Sequence, residues 1–334
     1  MKIIIPMAGM GKRLRPHTLT VPKPLIKLAG KPIVQHLIEE LAQVTNEKIE
    51  EIAFVIGDFG SDVENDLKNI AKKLNAKPKI YYQKEALGTA HAIYCAEKSL
   101  DGKVIIAFAD TLFKTDFIID KKPDSIIWVK KVKNPDDFGV VKLDNKNNIV
   151  DFIEKPKNFV SDLAIIGIYY FKDGKIMRNR IKHLLDNKII VNGEYQLTDA
   201  LQDMKKDGYI FKPGEVNEWL DCGNKNATVF TNKKLLEING GNDKSKVKIN
   251  NKNSIIIEPV YIENNVSVEN SIIGPHVSLG TNTVIKNSII TNSIIQNDNL
   301  LTDCNIQNSM IGNNTEVNGS IIDISIGDYN KIKL

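Results

Sequence analysis

The sequence predicts an α/β protein, a Rossmann-like, doubly wound mixed sheet followed by a parallel β-helix. Three observations carry this expectation. Short β-branched runs alternate with amphipathic helical segments through the first third of the chain, the rhythm of βαβ units that build a parallel sheet. Toward the C-terminus Ile, Val, Asn and Ser dominate, and apolar residues recur at six-residue steps: Ile262, Val268, then after a one-residue slip Ile273, Leu279 and Ile285. That spacing is a hexapeptide repeat of the kind that stacks β-helix coils. Between the two regions, Gly240-Gly241-Asn242-Asp243-Lys244-Ser245 has the composition of a linker. The expected division is therefore 1–238, a linker at 239–250, and a repeat domain at 251–334.

In chain order, Ile3–Pro6 reads as a buried strand. Pro32–Val44 has helical spacing, with Pro32 suited to a first turn and Ile33, Leu37, Ile38 and Leu41 on one face. Glu51–Ile56 is strand-like. Asp62–Leu74 carries a stripe of Val63, Leu67, Ile70, Ala71 and Leu74. Lys79–Tyr82 is a strand, Thr89–Lys98 a helix and Val104–Ala109 an apolar strand. Beyond Asp110 the rhythm changes to strands at Ser125–Lys131, Gly139–Leu143, Asn148–Ile153 and Leu163–Phe171, with a turn at Asp144–Asn147. Helices follow near Lys175–Leu185, Gln196–Lys206 and Ala227–Ile238. By the six-residue repeat the β-helix is expected to have about four coils.

Composition narrows the function classes. A chain of 334 residues is long enough for two domains, and 42% hydrophobic with 26% charged residues is ordinary for a globular protein. A net charge of +4 gives no indication of nucleic-acid binding. Cys95, Cys222 and Cys304 form no CxxC or Cys/His cluster, so neither a zinc site nor a disulfide framework is suggested. No apolar stretch has the length of a membrane span, and the N-terminus, broken by Pro6 and Gly9, makes a poor signal peptide. A cytoplasmic location is expected.

The stretch Ile3–Lys31 carries the chemistry. The strand Ile3-Ile4-Ile5 empties into a loop with Gly9 and Gly11 and the cations Lys12, Arg13, Arg15, Lys23, Lys27 and Lys31. Glycines let backbone N–H groups approach an anion, and the cations neutralise it. The loop is not a dinucleotide fingerprint, since Leu14 stands where a third glycine belongs, and it is not a Walker A loop, since it has no GK[ST]. At about 25 residues it is long enough to be functional.

These residues resemble a known family. GMGKRLRPHT followed by VPKPLIKLAGKPI is similar to the signature of sugar-1-phosphate nucleotidyltransferases, GGxGTRLxPLT then PKPLxPVxxKP. The resemblance runs through residues 1–232, falls nearest to the glucose-1-phosphate thymidylyltransferase type, and includes the hexapeptide tail. It implies the nucleotide-diphospho-sugar transferase fold and a left-handed β-helix. Two departures stand out: the Gly-Gly pair reads Ala8-Gly9, and the Thr reads Lys12. By resemblance Ala8, Gly9, Gly11, Lys12 and Arg13 hold the nucleotide phosphates, and Arg13 and Lys23 are catalytic. Concentrated fixed cations suit a reaction that joins two anions.

The resemblance also assigns the rest of the site. Asp110 in AFADT and Asp221 in EWLDCG match the aspartates that hold Mg²⁺, which takes one or two carboxylates plus phosphate oxygens. Gln83 and Gly88, in QKEALGTAHA, match the residues against the base; an amide can donate to and accept from a pyrimidine imide. Phe138-Gly139-Val140-Val141 resembles the (Y/F)GVV strand that meets the hexose, Glu154-Lys155-Pro156 the EKP motif, and Ile166-Gly167-Ile168-Tyr169 the (T/A)GxY strand lining the sugar pocket. Gly139, Glu154, Lys155 and Gly167 are thus the expected sugar-phosphate residues.

The implied activity is Mg²⁺-dependent transfer of a nucleotidyl group, from dTTP with UTP as alternative, to a hexose 1-phosphate such as glucose 1-phosphate, releasing pyrophosphate. The nucleophile needs no general base, because a phosphate monoester loses its second proton near pH 6. His17, His36, His91, His183 and His276 are therefore expected at the surface or in packing. Two rivals remain: a non-catalytic regulatory homologue, and a bifunctional enzyme whose β-helix adds acyltransfer with His276 as base. Exposed coil ends and flat faces of the β-helix predict a homo-oligomer.

Overall fold

A computed structural model describes residues 1–115, 123–240, 250–319 and 323–333. Residues 241–249, most of the expected linker, lie outside the described set. By compactness the chain forms two units, one of Met1–Gly9 with Leu37–Trp219 and one of Met10–His36 with Leu220–Leu334.

The first unit is a mixed nine-stranded sheet. Its first four strands, β1 (Lys2–Pro6), β2 (Glu51–Ile56), β3 (Lys77–Tyr82) and β4 (Val104–Ala107), are parallel and lie in the order β3-β2-β1-β4. Ile3 pairs with Ile52 on one side and Ile105 on the other, so β1 is fully enclosed, as its unbroken apolar run requires. β5 (Thr111–Lys114) stands outside this sheet. The sheet continues β9-β6-β10-β8-β7, from β6 (Ser125–Lys131), β7 (Gly139–Leu143), β8 (Ile149–Glu154), β9 (Leu163–Phe171) and β10 (Phe211–Glu215). β9 runs antiparallel to β4 and β6, and its register with β6 breaks between Ile165 and Tyr169. Gly167, at φ +83°, sits in that break, a backbone state that a side chain would oppose.

Helices α1 (Ile33–Thr45), α2 (Ser61–Lys73), α3 (Thr89–Tyr94), α4 (Gly174–Asp186) and α5 (Leu197–Lys206) follow the expected positions. α3 is shorter than the expected Thr89–Lys98. Past Tyr94 the backbone tightens to three-residue bonds, Ala96 N–H to Ile93 and Ser99 N–H to Ala96, ending in a 3₁₀ turn at Glu97–Ser99. The core gathers Ile4, Val55 and Ile106 from the parallel strands with Phe171, Met177, Leu201 and Phe211.

The second unit contains α6 (Lys225–Asn239), capped by the Asn224 side chain accepting from the Ala227 N–H at 3.0 Å, and a parallel β-helix. Three sheets of six, four and five strands form its faces. One begins at Asn250–Lys252 and continues through Ser267–Glu269 to Lys331–Lys333, so the helix is longer than the expected four coils. The difference has a physical source. Equivalent residues are 17 apart in the first coils, then 16, then 15, so a strict six-residue count drifts out of register through Ser288–Ser309. Ile273, Ile290 and Ile306 stack inward, all fully buried.

The coil corners account for the asparagines. Asn253, Asn270 and Asn287 hold φ values of 50°, 50° and 48°, a left-handed state that asparagine tolerates better than other side chains. Their amides form a ladder: Asn253 donates to Asn270 at 2.9 Å, Asn270 to Asn287 at 3.4 Å and Asn287 to the Asp303 carboxylate at 3.1 Å. Serine hydroxyls run beside it, with Ser254 Oγ accepting from Ser271 N and Ser271 Oγ from Ser288 N, each at 3.0 Å. Such bonds satisfy backbone donors between coils. Asn270→Val should lower unfolding free energy by about 1–3 kcal/mol, combining the left-handed penalty with loss of the ladder, while Asn270→Gly should cost less. Denaturant titration of both variants checks the order; equal midpoints would contradict it.

Candidate active site

In the second unit the basic loop folds on itself. Gly11 has φ +57°, and a Cβ there would lie 3.0 Å from both Lys23 Cβ and Thr18 Cγ2. Its carbonyl accepts from the Thr18 hydroxyl at 2.9 Å and the Leu14 N–H at 2.9 Å. These bonds close the 3₁₀ turn Lys12–Leu14, which carries Lys12 and Arg13. Lys23 lies on a second such turn, Lys23–Leu25, and is buried, 8% exposed.

Arg13 and Asp221 come together across two hundred residues of chain. A Cβ at Gly223 would lie 2.8 and 3.1 Å from the Asp221 carboxylate oxygens and 3.4 Å from Arg13 Nη2. Gly223 thus leaves room for a carboxylate and a guanidinium side by side. The Thr231 hydroxyl donates to the Asp221 carbonyl at 2.7 Å, tying this loop to α6.

In the first unit, Ala8 and Gly9 follow β1, and Asp110 follows β4. Ala8 is not among the residues with left-handed φ, so the departure from Gly-Gly is accommodated without strain. Asp110 sits on a turn closed by Thr111 N–H to Phe108 O at 3.2 Å. Gly167 packs against that turn: Phe108 N–H donates to the Gly167 carbonyl at 3.0 Å, and a Cβ at Gly167 would meet Phe108 at 3.4 Å. The structure therefore gives Gly167 a part in holding the Asp110 turn.

Gln83 follows β3, and its amide donates to the Gly88 carbonyl at 3.2 Å and meets His91 Nδ1 at 3.2 Å. Gly88 has φ +112°, and a Cβ there would lie 2.6 Å from the Tyr195 carbonyl oxygen and 2.7 Å from its nitrogen. Two backbone bonds lock this approach, Tyr195 N–H to Leu87 O and Ala90 N–H to Tyr195 O, both 2.9 Å. Burial pushes the His91 imidazole pKa down, leaving the ring neutral beside Gln83.

Gly139 and Glu154 face each other across β7 and β8, where they pair in register. A Cβ at Gly139 would lie 3.1 Å from Glu154 Oε2 and 3.6 Å from Thr198 Cγ2. The Thr198 hydroxyl donates to Glu154 Oε2 at 3.5 Å. Burial raises the Glu154 pKa above the usual carboxylate range, with Lys155 opposing the shift. Asp199 is raised by burial as well, and its Oδ2 is buried without a hydrogen-bond partner. Lys155 takes a left-handed φ of 42° and donates its N–H to Phe138 O at 3.2 Å. The Phe138 ring meets Trp219 edge-on at 4.8 Å, and Trp219 Nε1 is a buried donor without a partner.

Sequence reasoning missed Tyr195, Thr198, Asp199 and His91. The first three come to Gly88, Gly139 and Glu154 from 107, 59 and 45 residues away by tertiary folding alone, and no local pattern marks them. Among the described residues no group of three or more His, Cys, Asp or Glu side chains could hold a metal. Mg²⁺ seldom uses an all-protein cage and takes one or two carboxylates with substrate oxygens and water, and a carboxylate such as that of Asp221, beside Arg13, is a donor of the kind it takes. His276 is bound in packing: its Nε2 meets Glu237 Oε1 of α6 at 3.2 Å.

Gly88→Ala should destabilise the first unit by about 2–3 kcal/mol, since it opposes φ and pushes on backbone. Gly9→Ala, where a Cβ meets nothing within 4 Å, should change stability by less than about 0.5 kcal/mol. Chemical denaturation separates them, and equal effects would contradict the packing described.

Comparison with known proteins shows the family. The sequence profile of the Nucleotidyl transferase family matches residues 2–238. The chain is 35% identical over 260 residues to the bifunctional protein GlmU of Methanocaldococcus jannaschii, covering 77% of this chain but 60% of the relative's length. It is 28% identical to a glucose-1-phosphate thymidylyltransferase of Streptomyces antibioticus over 100% of this chain and 99% of the relative. In fold it is similar to a UDP-glucose pyrophosphorylase complexed with UDP-glucose (24% identity, TM-score 0.58, 71% of this chain and 98% of the other). It is likewise similar to a nucleoside-diphosphate-sugar pyrophosphorylase from Vibrio cholerae (19%, TM-score 0.60, 69% and 99%).

Proposed function

Because the chain belongs to the Nucleotidyl transferase family, we propose that it is a sugar-1-phosphate nucleotidyltransferase, using dTTP and glucose 1-phosphate. The observation that carries the reading is the meeting of Arg13 and Asp221 over Gly223. A guanidinium of the basic loop beside a carboxylate from the turn at 221–223 suits a triphosphate and its counter-ion. The end-to-end match with the Streptomyces thymidylyltransferase supports dTTP over UTP.

In this reading Lys12 and Arg13 take the triphosphate, with backbone N–H groups near Gly9 and Gly11. A phosphate oxygen of the sugar phosphate attacks the α-phosphorus, forming the new P–O bond as the bond to pyrophosphate breaks. Arg13 and Lys23 stabilise the charge that spreads over the α-phosphate oxygens. Mg²⁺, held by Asp110 and Asp221, would neutralise phosphate charge and make the phosphorus more electrophilic. Gln83 and Gly88 meet the base. Gly139, Glu154 and Lys155 receive the sugar phosphate; Glu154 and the unpartnered Asp199 Oδ2 are acceptors that suit hydroxyls. The reading includes a homo-oligomer in the cytoplasm. No helix among the described residues is long and apolar enough to cross a membrane. His276 meets Glu237 at 3.2 Å, and the likeness to bifunctional GlmU proteins keeps a bifunctional enzyme as the second reading.

Pyrophosphate release should be fastest with dTTP and glucose 1-phosphate among a matrix of triphosphates and sugar phosphates. Arg13→Ala should lower kcat/KM by about 10²–10³-fold. No release with any pair would overturn the activity. Acidification should raise the KM for the sugar phosphate. Burial holds the Glu154 pKa above its ordinary carboxylate value, so it gains a proton as pH falls through that raised pKa and loses acceptor capacity. Glu154→Gln should remove this part of the profile, leaving only the titration of the substrate phosphate; an unchanged profile would exclude Glu154 as a sugar ligand.

A further inference from the structure

The basic loop is held at two places by the β-helix, within one compact unit. Near its start, Pro16–Thr20 lies on the last coil. His17 Nε2 and Ser325 Oγ share a hydrogen bond of 3.1 Å, and the Thr20 hydroxyl donates to Asp328 Oδ2 at 2.5 Å. Gly327 makes the approach possible, since a Cβ there would lie 3.0 Å from Pro16 Cβ. Asp328 is itself fixed by the Asn313 N–H at 2.6 Å. Near its end, Lys27 pairs with Glu263 at 2.9 Å, and the Gln296 amide donates to the Lys27 carbonyl at 3.2 Å. Gly30 packs so closely on the Tyr261 ring that no side chain would fit there. Arg13 and Lys23 lie between or beside these two holds.

The residues making the contacts are informative. The family signature reads Leu where this chain has His17 and Pro where it has Lys27. Neither replacement adds to a phosphate site: His17 is 5% exposed, and burial drives its pKa down to about 4, so it is neutral at pH 7. Lys27 spends its charge on Glu263. Both side chains are directed to the β-helix.

We propose that the β-helix is a positioning clamp for the phosphate-binding loop, with His17, through Ser325, and Thr20, through Asp328, as positioning residues that hold Arg13 and Lys23 for the triphosphate. The proposal rests on the reading of that loop as the triphosphate site. Its logic is preorganisation: a cation displaced by about 1 Å forfeits much of its effect on the transition state, and a loop crowded with cations needs an external hold to stay compact.

The experiment uses the full chain, with dTTP as probe, and compares wild type with Ser325→Ala, Ser325→Thr, Asp328→Ala, His17→Leu, the double variant His17→Leu/Ser325→Ala, Arg13→Ala and Lys331→Ala. Lys331→Ala breaks an ion pair with Glu316 at the exposed face of the last coils; it controls for coil stability. Ser325→Ala and Asp328→Ala should each raise the KM and equilibrium Kd for dTTP by about 5–20-fold, with the KM for glucose 1-phosphate within about twofold. Ser325→Thr, which keeps the hydroxyl, should restore binding, and the double variant should be no worse than the worse single one. Lys331→Ala should behave as wild type. If Arg13→Ala abolishes dTTP binding while the Ser325 and Asp328 variants bind as wild type, the clamp is overturned and the phosphate-loop reading stands. If both substrates weaken equally in all β-helix variants including Lys331→Ala, the role is structural and the clamp is likewise overturned. If Arg13→Ala binds dTTP normally, the phosphate-loop reading itself falls, and the clamp with it.

Discussion

Lys12, Arg13, Arg15 and Lys23 share one short stretch of chain, and holding that stretch in a single conformation is the constraint on which the rest of the second unit is built. Two unit charges a few ångströms apart repel by about 1 kcal/mol in water and by several times that near a protein surface. A flexible loop would relieve that repulsion by swelling. This loop is instead closed from within by Gly11, whose carbonyl takes both the Thr18 hydroxyl and the Leu14 N–H. Its only apolar anchor among the residues between Gly11 and Arg15 is the buried Leu14. Further hold comes from Asn232 of α6, which accepts from the Ala29 N–H at 3.0 Å, and from β-helix side chains at Ser325, Asp328, Glu263 and Gln296.

The β-helix can supply rigid anchor points because its own order is over-determined. Each coil buries an isoleucine layer and is tied to the next by backbone bonds, an asparagine ladder and a serine ladder. A side chain projecting from such a stack has little freedom, so a bond to it transmits position. The same logic operates in the first unit through backbone approach. At Gly88 and Gly139 the missing Cβ lets Tyr195 and Glu154 come close. Burial then raises the pKa of Glu154 and Asp199 and leaves Asp199 Oδ2 without a hydrogen-bond partner.

Much of this was legible in the residues. The enclosed β1 was marked by Ile3-Ile4-Ile5, the helices by their apolar spacing, and the β-helix by its repeat, because each of these follows from periodicity, which is local. The coil number was misjudged because the repeat shortens from 17 to 15 residues, and a fixed period cannot follow a changing one. Asparagine enrichment was visible, but its meaning as a ladder at left-handed corners needed the coils stacked. Arg13, Lys23 and Asp221 could be named as candidates from motif and charge. Thr198, Asp199 and Tyr195 could not, because nothing in their own neighbourhood distinguishes a helix start from a binding wall.

The sequence by itself determined the kinds of element, their order and the inventory of cations, carboxylates and glycines, since these depend on side-chain chemistry and short-range steric preference. Only the tertiary structure decided which of them meet. That Arg13 shares Gly223 with Asp221, and that His17 reaches Ser325, are contacts closed over roughly two hundred and three hundred residues of chain. Such contacts arise from the packing of whole elements, which no local run of residues encodes.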